Sequence, residues 1–177
     1  MKTETIKLKN GRKVNIKPIQ YREPTEYTVK RKWKTDQGIT FYNTGMVFFS
    51  RYKKPKELKE VIYLPNDLIL KPNKKYKLHI DYPMRNEHVE EIITNEEGMR
   101  LIDLIDLIHK VYKKVYREEK RTSKLKEETI YERYGKGPMF NRAPTSGKYE
   151  IYGHVMDDLC IESIGVKGSN IYLSMES

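Results

Sequence analysis

The residues best suited to chemistry in this sequence are the lysines and arginines of its first half. A basic segment at 30–34 alternates cations with a tryptophan, and a second basic run follows at 51–54. If residues 27–35 form a strand, alternate lysines share an exposed face roughly 6.6 Å apart, a spacing that can follow a phosphate backbone. Tyr52 offers a ring for base stacking, and the turn at 72–75 can extend the basic patch. The residues predicted to bind nucleic acid or another acidic partner are Lys30, Arg31, Lys32, Lys34, Arg51, Tyr52, Lys53, Lys54, Lys74 and Lys75.

These lysines also have a plainer interpretation. Lysines on an edge strand stop sheets from pairing with one another, and the codon composition of an AT-rich genome favours lysine wherever selection permits. Trp33 falls on the opposite face of the predicted strand from the lysines, so it is expected in the core rather than in a stacking platform. The sequence leaves both interpretations of the lysines open.

The compact group of histidine and aspartate at 154–158 is the only such cluster in the sequence. It contains His154, Asp157 and Asp158. A metal site needs three or more ligands in most cases, and no other histidine has ligand spacing to this group. The segment 87–91 contains half of a metalloenzyme helix motif but lacks its second histidine, so it is expected to be a polar lead-in to a helix. The sequence therefore predicts no metal site, and His154, Asp157 and Asp158 are its weak candidates.

No pattern for enzymatic catalysis is present. Cys160 lies in an apolar run without a basic neighbour, which predicts a buried, inert thiol, and His109 beside Lys113 is expected to face solvent. The Gly-Lys-Gly-Pro segment at 135–138 lacks the spacing of a phosphate loop, and no hydrolase, dinucleotide or kinase signature occurs. We expect neither an enzyme nor a bound cofactor.

Charge is unevenly distributed along the 177 residues. The chain carries 35 Lys+Arg and 25 Asp+Glu, a net charge of +10. Residues 1–85 hold 21 of the cations and 8 of the acids, a net of +13, and the remainder is at −3. A single cysteine excludes an internal disulfide, and neither a membrane-spanning run nor a secretory leader is visible. These features predict an intracellular protein whose first half attracts acidic partners.

Hydrophobic periodicity places these residues on elements. Alternation with an Asn10-Gly11 turn predicts a hairpin over 5–17, and a second hairpin joins 27–35 to 39–50 with a bulge at Gly45. Helical spacing predicts a long helix over about 96–120, begun by a capping box of Thr94 and Glu97. Further strands are expected at 68–70, 76–82 and 148–152, and a last hairpin at 159–166 and 170–175.

The predicted fold class is α+β, a mainly antiparallel sheet from N-terminal hairpins that packs on one long helix and is followed by a C-terminal β-hairpin. We expect a single domain over 1–177, with a basic β-rich part at 1–85, the helix at 94–120, an irregular segment at 121–147 and strands at 148–177.

Three stretches of the second half carry a family resemblance. They are the helix at 99–112, the segment 152–164 with the sequence Tyr-Gly-His-Val-Met-Asp-Asp-Leu-Cys-Ile-Glu-Ser-Ile, and the terminal run 171–177. The middle stretch is similar to a pattern of Gly, Asp or His, three variable positions, Asp-Leu, and then Glu followed by Gly or Ser. This half resembles an uncharacterised family of large DNA viruses that also occurs in some plants and fungi. The resemblance implies a viral protein with an α+β domain and assigns no catalytic residue; where the family often ends in Gly-Ser, this chain has Glu176-Ser177.

The sequence thus predicts a non-catalytic interaction module of a virus, in the host cytoplasm or the virion. Its basic β-rich surface would bind RNA, DNA or an acidic protein, and no membrane. The alternative is a structural or assembly protein of the virion that forms a homo-oligomer through an apolar interface, with lysines that serve solubility alone.

Overall fold

The structure is a computed structural model that describes residues 4–7, 13–16, 30–51, 62, 64–139 and 141–177. Its strands are β1 (Glu4–Lys7), β2 (Lys13–Ile16), β3 (Lys32–Lys34), β4 (Thr40–Phe48), β5 (Leu68–Leu70), β6 (Lys75–Ile80), β7 (His88–Ile93), β8 (Met99–Arg100), β9 (Cys160–Lys167) and β10 (Asn170–Glu176). Its helices are α1 (Leu101–Thr122) and α2 (Ile130–Tyr134), and single 3-10 turns lie at Phe49–Arg51 and Met156–Asp158.

A six-stranded sheet forms the centre of the molecule, in the order β3-β4-β9-β10-β6-β7. Its neighbours run antiparallel except β10 and β6, which are parallel. Strands β1 and β2 form a separate antiparallel pair, and β5 pairs with β8. The predicted α+β class, with a sheet, one long helix and a C-terminal hairpin, is confirmed.

The second predicted hairpin is present as strands β3 and β4. Trp33 of β3 lies opposite Phe41 of β4, and their rings stack at 5.3 Å between centroids. Trp33 is half-buried and lies outside the core cluster, so the expectation of a core tryptophan is wrong. The register of β4 against β9 shifts between Asn43 and Val47, where Gly45 has a φ of 75°. The predicted bulge at Gly45 is therefore confirmed.

Helix α1 packs its apolar face on one side of the sheet. Residues at helical spacing are buried, as an amphipathic helix on a sheet requires: Leu101, Leu104, Ile105, Ile108, Val111, Tyr112 and Val115. They meet inward-facing residues of the sheet, among them Leu78, Ile80, Ile161, Ile164 and Ile171. Within the described residues, no helix combines the length and the apolar character needed to cross a membrane.

The start of α1 differs from the predicted one. The helix begins at Leu101, and the Thr94 side chain is used elsewhere: its hydroxyl donates to the Lys71 carbonyl at 2.7 Å and accepts from the Lys74 amide at 3.0 Å. The capping box predicted at Thr94 and Glu97 is therefore wrong, because Thr94 ties the end of β7 to the turn before β6. A capping box does form at Thr129 and Glu132, at the start of α2.

Two segments differ in type from their predictions. Residues 87–91, expected as a polar lead-in to the helix, lie mostly in edge strand β7 (His88–Ile93), which pairs with the preceding strand β6. Residues 148–152, expected as a strand, make only an isolated bridge from Ile151 to Met84. The Tyr149 amide of this segment instead donates to the buried carboxylate of Glu119 at 2.7 Å. The same carboxylate accepts from the Thr145 hydroxyl at 2.5 Å and from the Gly147 amide at 2.9 Å. We call these four residues the Glu119 network.

The hairpins at the two ends of the chain match the sequence to different extents. Strands β9 and β10 form the predicted C-terminal hairpin around residues 167–169. Strands β1 and β2 pair with Ile6 opposite Val14, as the hairpin over 5–17 requires. The predicted Asn10-Gly11 turn lies outside the described residues.

Candidate anion-binding cleft

Three turns at one end of the central sheet surround a cleft of about 400 Å³. They are the β3–β4 turn, the β5–β6 turn and the β9–β10 turn. Three lysines line the cleft, Lys34, Lys71 and Lys74, together with the hydroxyl-bearing residues Thr40 and Ser169. No aspartate or glutamate is among the described residues that line it. We call this site the lysine cleft.

The register of the β3–β4 hairpin points Lys34 into the cleft. Lys34 lies opposite Thr40, and Lys32 lies opposite Tyr42; Thr40 and Tyr42 both line the cleft. The Lys32 ammonium lies 4.8 Å from the centroid of the Tyr42 ring, which is a cation–π contact. Lys32 therefore stands at the rim of the lysine cleft, on the same side of the sheet as Lys34.

The β5–β6 turn holds the other two lysines on a fixed backbone. The Lys71 amide donates to the Tyr76 hydroxyl at 2.8 Å, and the Lys74 amide donates to the Thr94 hydroxyl at 3.0 Å. Asn73 adopts a φ of 50°, a left-handed conformation that asparagine tolerates better than most residues. These hydrogen bonds fix the backbone positions from which the Lys71 and Lys74 side chains extend.

The lysines of the cleft have no carboxylate partner in the part of the chain that the structure describes. None of its ion pairs includes Lys34, Lys71 or Lys74, and all three side chains are exposed. Like charges held around one concave surface raise the local concentration of anions. The lysine cleft is therefore suited to a phosphate or carboxylate ligand.

Other predicted binding residues lie away from this cleft. Lys75 is on the opposite face of β6 from Tyr76, where its ammonium is 3.4 Å from Glu91. Lys30 and Arg31 are exposed residues just before β3 and do not line the cleft.

Arg51 follows the far end of β4. That strand has nine residues, so it spans about 27 Å from its start at the cleft. Tyr52, Lys53 and Lys54 lie outside the described residues. The structure thus brings together Lys34 and Lys74 of the predicted set, with Lys32 beside them.

Lys71 lines the cleft but is absent from the residues that the sequence predicted to bind a partner. It begins the same four-residue turn that Lys74 ends, and a tight turn that carries lysine at both ends was the available signal. The sequence alone did not show that this turn lies close to the β3–β4 hairpin, because that proximity depends on the order of the strands.

The weak metal candidates do not assemble a metal site. The Nε2 atom of His154 is 3.1 Å from the hydroxyl of Ser177, its ring lies near Tyr82, and Asp157 and Asp158 are exposed. Among the described residues there is no group of three or more His, Cys, Asp or Glu that could hold a metal ion.

The two other titratable residues singled out in the sequence are both buried. His109 packs edge-on against Phe49, so the expectation that it faces solvent is wrong. Burial, reinforced by the charge of Lys113, lowers the pKa of His109 to about 4. Cys160 is buried as predicted, and burial raises the pKa of its thiol to about 11.

No known protein family, curated protein or solved structure matches this chain. The resemblance to a family of large DNA viruses accordingly remains a prediction from the residues quoted above.

Proposed function

We propose that this chain is a non-catalytic interaction module that binds the phosphate backbone of a nucleic acid through the lysine cleft. The observation that carries the proposal is the meeting of Lys34, Lys71 and Lys74 in one cleft whose described lining includes no carboxylate. Ammonium groups act as point charges toward phosphate and read no base sequence. Binding is therefore expected to be tolerant of sequence and sensitive to salt. The family resemblance supports a viral module in the host cytoplasm or the virion.

The number of contacts sets the size of the salt effect. Three lysines that neutralise three phosphates of duplex DNA give a slope of about −2.7 in log K against log salt. Affinity is then expected to fall about 40-fold between 50 and 200 mM salt. A weaker slope is expected for single-stranded RNA, because a single strand releases fewer counterions.

Fluorescence anisotropy with labelled duplex DNA and single-stranded RNA of 20 nucleotides tests this proposal. The triple variant Lys34→Ala, Lys71→Ala and Lys74→Ala removes the cleft lysines, and we expect at least a tenfold weaker affinity at 50 mM salt. The matched control replaces three exposed cations outside the cleft, Lys113, Arg117 and Lys136, so both triples change net charge equally. Equal losses in the two triples, or binding that does not respond to salt, would exclude the cleft as the phosphate site.

An acidic protein is the competing partner for the same cleft. Poly-glutamate offers carboxylates without phosphates, and it can be added as a competitor in the same anisotropy experiment. If poly-glutamate binds more tightly than either nucleic acid, and the cleft triple alone abolishes that binding, then the partner is an acidic protein and the nucleic-acid proposal fails.

A second candidate function is assembly into a homo-oligomer. The sheet face opposite α1 carries exposed apolar side chains: Tyr172 is 37% exposed, Val89 43% and Ile93 66%. Val89 lies opposite His79, whose ring stacks on Tyr172, so Val89 and Tyr172 share this face. Burial of such a patch between two copies would be favourable and insensitive to salt.

Light scattering in 1 M salt separates the two candidates. An oligomer that persists there and becomes a monomer with Val89→Lys and Ile93→Lys would support assembly. A monomer in 1 M salt at high protein concentration would remove this second candidate.

A further inference from the structure

A second cationic cavity lies at the C-terminal end of α1, in the half of the chain whose net charge is −3. Its volume is about 480 Å³, and four cations line it: Lys120, Lys124, Lys126 and Arg142. Glu127 is the one carboxylate of that lining in the described chain, so the lining carries a net charge of +3. None of these residues lines the lysine cleft.

Arg142 distinguishes this cavity from a set of surface lysines. The residue is 3% exposed, and its backbone amide and carbonyl both pair with Gly153, at 2.8 and 3.0 Å. Its guanidinium lies 5.4 Å from the centroid of the Tyr116 ring. The position of Arg142 is therefore fixed by the backbone and by an aromatic face.

The hydrogen-bond donors of the Arg142 guanidinium are not all satisfied within the described residues. Its Nη1 donates to Glu127 Oε1 at 3.1 Å, whereas the buried Nε has no acceptor among the described residues. A buried donor without an acceptor is unfavourable, and more so when the group is charged. A buried arginine in this condition beside a cationic cavity is expected to be completed by an anion, since planar guanidinium matches phosphate geometry.

Contacts that do not involve a ligand already shape the cavity. The Ser123 hydroxyl accepts from the amides of Leu125 and Ser146, at 3.1 and 3.2 Å. Arg133 donates to the carbonyls of Lys126 and Pro144. The loop that carries Lys124 and Lys126 is thereby attached to the segment that follows Arg142, and the four cations surround the cavity before any anion arrives.

We infer that this cavity binds a diphosphate-bearing small molecule. Its volume lies within the range of about 300–1,000 Å³ that is usual for small-molecule sites. The lining charge of +3 suits a diphosphate better than a single carboxylate. Arg142 and the three lysines bind the phosphate oxygens, and Glu127 orients the guanidinium through Nη1. This inference does not rest on the proposed nucleic-acid function, because the two sites share no residue.

Titration calorimetry of the full chain with pyrophosphate tests the inference. The double variant Lys124→Glu and Lys126→Glu changes two exposed side chains, so folding is retained, and we expect pyrophosphate affinity to fall at least tenfold. The matched control, Lys113→Glu and Arg117→Glu on the exposed face of α1, is expected to stay within twofold of the unaltered chain. Absence of saturable binding up to 5 mM pyrophosphate, or equal losses in the two double variants, would overturn the inference.

Two further variants test the roles assigned to Glu127 and Arg142. Glu127→Gln keeps an oxygen acceptor for Nη1 but removes a negative charge from the lining, so pyrophosphate binding is expected to tighten about threefold, whereas Arg142→Gln is expected to abolish it. If Glu127→Gln weakens binding instead, the assigned roles are wrong. An unchanged affinity in the triple variant of the lysine cleft supports a separate site, and a loss there equal to that of Lys124→Glu and Lys126→Glu contradicts it.

A parallel titration with adenosine diphosphate identifies the source of the diphosphate. Tighter binding than that of pyrophosphate supports a nucleotide ligand, and equal binding supports a free diphosphate. Both of these outcomes retain the cavity as a diphosphate site.

Discussion

The lysine cleft and the Glu119 network use charge in opposite ways. In the cleft, three exposed ammonium groups surround a cavity and have no carboxylate partner among the described residues. In the network, one buried carboxylate accepts three hydrogen bonds and fixes the segment 145–149 beneath the end of α1. A charge left in water costs the fold little and remains available to a ligand, whereas a buried charge must be fully hydrogen-bonded. The comparison predicts that the network governs stability and the cleft governs binding.

Replacement of Glu119 by glutamine is expected to have the largest effect on stability. The amide cannot accept from the Thr145 hydroxyl and the two amides at once, so at least one buried donor loses its acceptor. We expect the free energy of unfolding to fall by about 3 kcal/mol, measured by urea denaturation. The control is Glu97→Gln, an exposed acid, which is expected to change stability by less than about 0.5 kcal/mol. Similar losses of unfolding free energy in Glu119→Gln and Glu97→Gln would contradict the prediction that the buried charge matters more for stability than the exposed one.

Replacement of Gly147 by alanine tests the same network through its geometry. A Cβ at this position would lie 2.5 Å from Glu119 Oε2 and 2.7 Å from the Glu119 carbonyl oxygen. Both approaches are too close, so either the carboxylate or the segment must move. We expect a loss of about 2 kcal/mol in the same denaturation experiment. Gly168→Ala, at a φ of 59° with no atom within 4 Å of the added Cβ, measures the cost of a left-handed alanine without a clash, and the loss at Gly147 is expected to exceed it. A neutral result for Gly147→Ala would mean that the network adapts easily.

The pH dependence of stability extends the contrast to a buried base. Burial first, and Lys113 second, lower the pKa of His109 from 6.5 to about 4. Between these values the unfolded chain binds a proton that the folded chain does not, so stability falls as pH falls through this window. Thermal melting at several pH values is expected to show a shallower decline between pH 6.5 and 4 for His109→Leu than for the unaltered chain. Identical slopes for the two proteins would contradict a buried neutral imidazole.

The smallest effect on stability is expected from the lysine cleft itself. The triple variant Lys34→Ala, Lys71→Ala and Lys74→Ala removes exposed charges that make no ion pair among the described residues. Its free energy of unfolding is expected to stay within about 0.5 kcal/mol of the unaltered chain. A loss comparable to that of Glu119→Gln would show that these lysines support the fold, and the division between binding and stability would fail.

The sequence predicted the parts of the fold that depend on neighbours along the chain. Helix α1 follows from its own apolar spacing, and the β9–β10 hairpin follows from two adjacent strands and a short turn. The segment 87–91 was misassigned although β7 pairs with the preceding strand β6, because its charged residues obscure the alternation of an edge strand. The segment 148–152 was misassigned because its partner Glu119 lies 30 positions before Tyr149 and is not visible in local periodicity. His109 was misassigned for a related reason: its burial depends on Phe49, 60 positions earlier.

The candidate sites show the same limit. The sequence identified Lys34 and Lys74 by their charge, but their proximity depends on which turns share an end of the sheet. Arg142 was not identified, since it lies in a segment that reads as irregular and its burial arises from Gly153 and Tyr116. Composition gives the number of cations in each half of the chain, whereas the fold determines which of them lie close together.

The central place of β10 has a consequence for synthesis of the protein. This strand, at residues 170–176, lies between β9 and β6 and joins the β3–β4 hairpin to the β6–β7 hairpin. During translation, these two hairpins remain unconnected until residues 170–176 have left the ribosomal exit tunnel. The nascent chain therefore leaves the inner edge of β6 unpaired until β10 has emerged, and a chaperone or another nascent strand can reach that edge.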